Sequence, residues 1–275
     1  MPRMVGEILI SVAIAYAAAV ALVFVFQSRL VYYPEIGREV TVTPQSYGLK
    51  FETVEIPTSD GENLQAWWVP VDGARGTVLF FHGNAGNISH RLDYLLMFNR
   101  LRHSTLIVDY RGYGKSTGTP SEEGTYRDAE AAWDYLRNAR NTGPRDVVVA
   151  GESLGGAVAT WLAARIEPRA VLLFSTFTSA TDLGAGVYWF LPVRLLSRIG
   201  YDNRENLKRI RVPVFIAHSR DDDIVPFSHG KALYEAASEP KAFLEMRGGH
   251  NEGFVFTRQE WVSQLGAFLD RHAAN

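Results

Sequence analysis

The 275-residue chain contains no cysteine, which excludes disulfides, thiolate nucleophiles and cysteine-ligated metals together. It lacks an excess of charge of either sign: 28 Lys and Arg face 30 Asp and Glu, a net charge of −2, and the basic residues form no run. Nucleic acid, held chiefly through its phosphates, therefore finds no footprint here. Zinc spacings such as HExxH are missing. One stretch imitates a phosphate loop, "GKST" at 114–117, but Asp109 stands where a Walker A motif requires glycine, and "GTPSEE" follows where a helix should start at once. No internal repeat or low-complexity segment interrupts the chain. What these absences leave is a nearly neutral chain, 47% hydrophobic, long enough for one large α/β domain.

The first feature present is a long apolar run. Residues 8–26, "ILISVAIAYAAAVALVFVF", would rise about 28 Å as a helix, close to the roughly 30 Å of a bilayer core. Signal-peptide cores are shorter, so residues 1–27 are read as a retained single-pass transmembrane anchor, with a cleaved signal as the alternative. Arg3 is offset by Glu7 on one side and Arg29 and Arg38 lie on the other, which nearly balances the positive-inside rule. Analogy with other signal-anchored enzymes places the following domain on the extracytoplasmic side. Residues 28–50, with Pro34, Pro44 and several aromatics, read as a linker leading off the membrane.

From residue 51 to the end the pattern is that of one domain. Residues 51–57 and 63–70 alternate around "SDGE" and predict an antiparallel hairpin at a sheet edge. Short continuous apolar runs follow at 77–81, 105–109, 146–150, 170–174 and 213–217. Strands that are apolar without alternation are covered on both faces, which predicts a mostly parallel, doubly wound α/β sheet. A last strand at 241–246 and a helix from about 258, capped by Thr257 with Glu260, would close it. The connection at 175–209 is too long for a simple crossover and carries "VYWFLP". It is expected to form a small helical cap whose Tyr188, Trp189, Phe190 and Leu191 line a substrate pocket.

In such sheets chemistry sits beyond the carboxyl ends of the strands. There "VVVAGESLGGAVAT" (147–160) runs from a buried strand through a glycine-flanked turn into an alanine-rich helix. This is the arrangement that lifts a serine hydroxyl above a sheet, with glycines two before and two after it leaving room for the backbone. GxSxG alone is only moderately specific, and a small polar helix cap would read the same way. A serine nucleophile needs a base, and the base needs an orienting acid. Of seven histidines only His250 lies in a glycine-flanked loop after the last strand and downstream of an acidic loop. His82 and His218 read as structural donors, and His90, His103, His229 and His272 lack chemical context. Among Asp221, Asp222 and Asp223 the residue types alone do not choose.

Taken together, "FFHGNAGNI", "DYRGYGKSTGTPSE", "GESLGGAVA", "HSRDDDIVPFSHG" and "GGHNE", in this order and spacing, resemble the α/β-hydrolase superfamily. The likeness runs from about Gln27 to the C-terminus and is strongest to its membrane-anchored, single-pass serine hydrolases, a branch related to protein depalmitoylases. That resemblance implies an eight-stranded α/β-hydrolase fold, Asp222 as the acid, and an oxyanion hole formed by the backbone N–H groups of Leu154 and Asn84. Acyl transfer of this kind needs no cofactor and acts on a small-molecule ester or thioester, and the nearby membrane anchor makes an acyl or lipid-like substrate the expectation. Relatives acting on epoxides or haloalkanes carry aspartate at the elbow, so Ser153 implies acyl transfer. One departure is Ser219, where the family usually has glycine. The alternative, a non-catalytic scaffold binding a ligand at the membrane, commonly loses a member of the Ser, Asp, His set, whereas this chain keeps all three. Because the base must be neutral, activity is expected to fall on acidification.

Overall fold

A computed structural model describes residues 2–272 of the chain. Helix α1 (Pro2–Val31) is apolar and long enough to cross a membrane. Most of it is exposed, but Val20, Val23, Gln27 and Val31 are half-buried. Their spacing of three or four residues places them on one stripe, which packs against the rest of the chain. The domain then follows the order β1 (Glu52–Pro57), β2 (Asn63–Val69), β3 (Thr77–Phe81), α2 (Leu92–Arg100), β4 (Ser104–Val108), α3 (Glu122–Ala139), β5 (Val147–Glu152) and α4 (Leu154–Ile166). It continues with β6 (Ala170–Phe174), α5 (Ala180–Val187), α6 (Val193–Leu196), α7 (Asn203–Leu207), β7 (Val214–Ser219), α8 (Phe227–Ala236), β8 (Lys241–Met246) and α9 (Gln259–Arg271).

The eight strands form one sheet ordered β1-β2-β4-β3-β5-β6-β7-β8. β1 and β2 pair antiparallel, as do β2 and β4, and every later pairing is parallel. The continuous apolar runs divide between two cores. Leu79, Phe81, Val147, Val149, Val171 and Leu173 face one layer with α3, α4 and α8, and Val78, Phe80, Val148, Ala150 and Leu172 face the other with α2 and α9. Neighbouring residues on a strand point to opposite faces, so both faces being dry requires every position to be apolar. The chain steps outward in one direction from β3 to β4 and in the other from β5 to β8, so the topological switch lies between β3 and β5. Phe81 pairs with Gly151 there, and the loops leaving the two strands emerge side by side, where α/β sheets hold their ligands.

Two local expectations are corrected. Thr257 does not cap α9, because the preceding Val255–Thr257 turn is a 3-10 helix and the Thr257 hydroxyl donates to Phe254 O (2.8 Å). The helix starts after Arg258, and no side-chain cap is formed. The stretch 28–50 does not stand off the domain as a free linker. Tyr32 is buried with its hydroxyl 2.9 Å from that of Tyr201, and the Asn87 side chain donates to the carbonyls of Gly37, Arg38 and Glu39 at 2.8–3.0 Å. These carbonyls lie in irregular backbone that would otherwise be left to water. The "GKST" turn is likewise structural: Ser116 donates to Asp109 O (2.7 Å) and accepts from Gln65 N (2.9 Å), tying it to the edge hairpin. Arg111 closes the same corner by donating to both oxygens of Asp60 and to Asp128, which holds the Asp60 carboxyl well below the usual carboxylate range.

Acid sensitivity is built into this fold by buried histidines. His103 Nε2 lies 2.7 Å from Arg169 Nη2, and its Nδ1 lies 2.9 Å from Leu101 O. The guanidinium can only donate, so Nε2 accepts and the ring is neutral. Burial lowers the His103 pKa to about 4 and also lowers that of His218. A histidine depressed in the folded state binds a proton first in the unfolded state. For His103 the stabilising effect is complete above the unfolded value of about 6.5 and is lost as pH falls towards about 4, at up to about 1.4 kcal/mol per pH unit, and His218 acts in the same direction. The Tm is therefore expected to drop steeply below pH 6, and His103→Gln is expected to flatten that slope in a thermal-melt series.

Candidate active site

Ser153 occupies the single residue between β5 and α4, with φ 51° and ψ −115°. A non-glycine residue in this region is strained and persists only where its surroundings hold it. Here Ser153 N donates to Phe174 O (2.9 Å), while Ser153 O accepts from Gly156 N (3.0 Å) and from the Thr176 hydroxyl (2.6 Å). The flanking glycines are required by contact. A methyl group on Gly151 would collide with the Gly155 carbonyl, one on Gly155 with the Phe81 carbonyl, and one on Gly156 with Thr176. The turn thus presents the Ser153 hydroxyl beyond the sheet, and α4 begins immediately after it.

His250 arrives from the loop after β8, where Gly248 takes φ 104°, a conformation open to glycine. Its Nε2 lies 3.1 Å from Ser153 Oγ and its Nδ1 lies 2.8 Å from Asp222 Oδ2. All three side chains are nearly buried. The second Asp222 oxygen accepts from Ile224 N (3.0 Å) and Val225 N (2.7 Å), so the turn after β7 fixes the carboxylate's orientation. Of the three candidate acids, then, only Asp222 meets the imidazole. The other two are employed as well. Asp223 accepts from His250 N (2.9 Å) and so positions the histidine backbone, while Asp221 pairs with Arg247 (3.2 Å). Ser219, the departure from the resembled pattern, donates to Gly248 O (2.5 Å) and accepts from Asp221 N (3.1 Å), joining the acid loop to the histidine loop.

His218 lies 3.6 Å from the same Asp222 oxygen. Burial lowers its pKa, and its Nε2 sits 2.8 Å from Val225 O, so it donates there as a neutral ring and leaves the carboxylate's charge to His250. His82 is also structural, with Nδ1 2.7 Å from Gly83 O. His90 completes a capping box with Asn87, and His229 Nδ1 accepts from Thr178 N (3.2 Å).

Leu154 and Asn84 flank the serine. Leu154 is the first residue of α4, and neither its N–H nor that of Asn84 has a partner among the described residues. The Asn84 loop is held on three sides: its carbonyl accepts from the Tyr113 hydroxyl (2.9 Å) and from Tyr33 N (3.2 Å), and its side chain donates to Val31 O at the end of α1 (2.9 Å). Arg91 and Glu152 form a partly buried ion pair at 2.7 Å on the same wall. A charged residue at the buried end of β5 was the available sequence signal for Glu152; Arg91 left none.

A cavity of about 470 Å³ opens over the serine, within the size range of small-molecule sites. Ser153, His250, Asn84 and Leu154 form its floor, and Leu183, Tyr188, Leu191 and Leu196 from the α5–α6 segment form one side. Of the four expected pocket residues, Tyr188 and Leu191 line this cavity. Trp189 and Phe190 do not; they sit in a non-helical turn and face outward, 81% and 54% exposed. The opposite side is formed by α1 through Val20, Val23, Phe24, Gln27, Leu30 and Val31, which the sequence reading divided between the anchor (1–27) and the linker (28–50).

The chain is similar to known proteins of one fold family. Residues 76–199 match a family model described as the alpha/beta hydrolase fold. The alpha/beta hydrolase domain-containing protein WAV2 of Arabidopsis thaliana is 35% identical over 283 aligned residues, covering 93% of this chain and 91% of its own. The alpha/beta hydrolase domain-containing protein 17B of Homo sapiens is 33% identical, covering 79% and 75%. Among solved structures, a Pyrococcus furiosus esterase superposes with a TM-score of 0.71 at 24% identity, covering 88% of this chain and 98% of that one, which is a likeness of fold.

Proposed function

The chain belongs to the α/β-hydrolase superfamily, and from that premise we propose that it is a serine hydrolase that cleaves carboxylic esters or thioesters of acyl, lipid-like substrates through Ser153, His250 and Asp222. The observation that carries this reading is the unbroken line from Ser153 Oγ to His250 Nε2 (3.1 Å) and from Nδ1 to Asp222 (2.8 Å). A neutral imidazole bonded in this way has its free lone pair on Nε2, aimed at the hydroxyl.

Ser153 Oγ attacks the acyl carbon as Nε2 takes its proton, and Asp222 stabilises the imidazolium. The carbonyl electrons move onto oxygen, where the N–H groups of Leu154 and Asn84 are free to receive it, an interaction worth about 10²–10³ in rate per donor. Collapse expels the alcohol or thiol, which takes the proton back from Nε2. Water, deprotonated by the same nitrogen, then hydrolyses the acyl-enzyme. No step draws on a cofactor. Residues 51–275 form the catalytic domain in this reading, with the cap at 175–209, and α1 anchors it as a single-pass protein with the domain extracytoplasmic.

A fluorophosphonate probe tests this directly. The full chain is expected to be labelled at Ser153, with no labelling of Ser153→Ala. A folded wild-type protein that stays unlabelled and hydrolyses no p-nitrophenyl ester would instead favour the non-catalytic scaffold.

A further inference from the structure

We infer that α1 is a wall of the substrate site as well as an anchor: its Val20, Val23, Phe24 and Gln27 face lies along the acyl chain of the substrate, which enters sideways from the bilayer leaflet. This inference rests on the hydrolase reading above and adds to it the route of entry and the residues that select chain length.

The cavity over Ser153 is bounded on one side by that face of α1 and on the other by the cap. From Val20 to Val31 the lining stretch of helix is about 17 Å long, which suits a long chain better than a short one. Cap and helix are joined at two levels, one turn before this stretch and again within it. The Tyr16 hydroxyl donates to Phe190 O (2.9 Å). Within the stretch, Arg198 N donates to the Gln27 side chain (2.7 Å), and the Arg198 guanidinium donates to Phe24 O (3.0 Å) while lying over the Phe24 ring.

These joints fix the depth of the cap. If the bilayer ended at Tyr16, only the stretch from Arg3 to Tyr16 would span it, about 21 Å of helix against the roughly 30 Å required. The apolar layer must therefore continue past Tyr16 towards Phe26, and the cap tip, bonded to Tyr16, lies within it. The tip is composed for that setting. Trp189 and Leu195 are 81% and 85% exposed, with Phe190 and Val187 beside them. Irregular backbone in lipid needs internal partners for its polar groups, and part of that requirement is met here: Tyr188 N donates to Gly184 O, Leu191 N to Tyr188 O and Val193 N to Leu191 O, while the Tyr16 hydroxyl donates to the Phe190 carbonyl. Arg198 sits at the Phe24–Gln27 level, where a guanidinium reaches the headgroups. A substrate chain can thus pass between cap and α1 without leaving the apolar phase, its ester or thioester carbonyl coming to rest at the serine.

The test uses the full chain in phosphatidylcholine nanodiscs. For Val20→Trp with Val23→Trp, the ratio of kcat/KM on p-nitrophenyl palmitate to that on p-nitrophenyl acetate is expected to fall about tenfold or more, since several methylenes lose their wall. An unchanged ratio overturns the inference. Parallel discs carrying an S-palmitoyl peptide distinguish oxygen-borne from sulfur-borne chains, and whichever the wild type cleaves should decline in the variant. A measurement independent of turnover uses Ser153→Ala with a diazirine-bearing palmitic acid. Cross-links within residues 20–31 are expected, and their absence there overturns the inference whether or not the protein hydrolyses anything; failure of the hydrolase reading would appear separately, as wild-type protein inert towards p-nitrophenyl acetate. Because the chain has no cysteine, Leu195→Cys takes a single environment-sensitive fluorophore. Blue-shifted emission quenched by spin-labelled lipid is expected, and water-like emission overturns entry from the leaflet.

Discussion

Replacing Ser153 with alanine is expected to lower kcat for p-nitrophenyl acetate by about 10⁵-fold or more, the scale seen when an acyl-transfer nucleophile is removed from an otherwise intact site. The fold should be unaffected. The backbone at position 153 is held by Phe174 O, Gly156 N and Thr176, none of which touches the hydroxyl, and the one bond lost is that to His250 Nε2 at 3.1 Å. Alanine tolerates the positive φ no worse than serine, so the Tm should match wild type. Loss of turnover at constant Tm is the pairing to look for. A variant that melts normally and retains even a hundredth of wild-type kcat would mean that the acyl group is attacked by something other than this hydroxyl. The oxyanion donors of Leu154 and Asn84 are backbone groups and survive the substitution, so a small residual rate above that in water is expected.

What could be read from the sequence follows from how each feature is encoded. The parallel strands were legible because burial on both faces demands apolar residues at every position, as in 77–81 and 170–174, which the structure places at Thr77–Phe81 and Ala170–Phe174. The elbow was legible because Gly151 and Gly155 admit no Cβ. The choice among Asp221, Asp222 and Asp223 was not, since three adjacent acids have the same local chemistry and only the turn after β7 decides which carboxylate faces His250; the family resemblance supplied it. The α1 face at Val20, Val23 and Gln27 was hidden for another reason. A helix that is apolar all round shows no stripe, so periodicity cannot report that one side touches protein and the rest does not. Trp189 and Phe190 failed as pocket residues because composition gives hydrophobicity but not direction, and in a non-helical turn neighbouring side chains have no fixed phase. The segment 28–50 looked like a linker by its prolines, yet its carbonyls are bound by the side chain of Asn87, a long-range contact that no local pattern reveals.

Asp222→Asn is expected to cost about 10⁴ in kcat with little change in fold, and the structure gives the reason through hydrogen-bond polarity. Oδ1 of Asp222 accepts from Ile224 N and Val225 N, and Oδ2 faces His250 Nδ1. An asparagine in this place must keep its oxygen towards the two backbone donors, because turning its amide round would set N–H against N–H. Its NH₂ group therefore points at His250 Nδ1 and can only donate. The imidazole then accepts at Nδ1 and carries its proton on Nε2, so that the nitrogen 3.1 Å from Ser153 Oγ is a donor and cannot take the hydroxyl's proton. The defect is one of tautomer, not of position, so KM for p-nitrophenyl acetate should change little while kcat collapses. Asp221→Asn and Asp223→Asn provide the contrast. Asparagine at 223 retains the oxygen that accepts from His250 N, and position 221 touches Arg247 and the Ser219–Gly248 junction; both should lose far less activity than Asp222→Asn. Equal losses at 222 and 223 would show that the acid loop acts only by holding its neighbour's backbone in place.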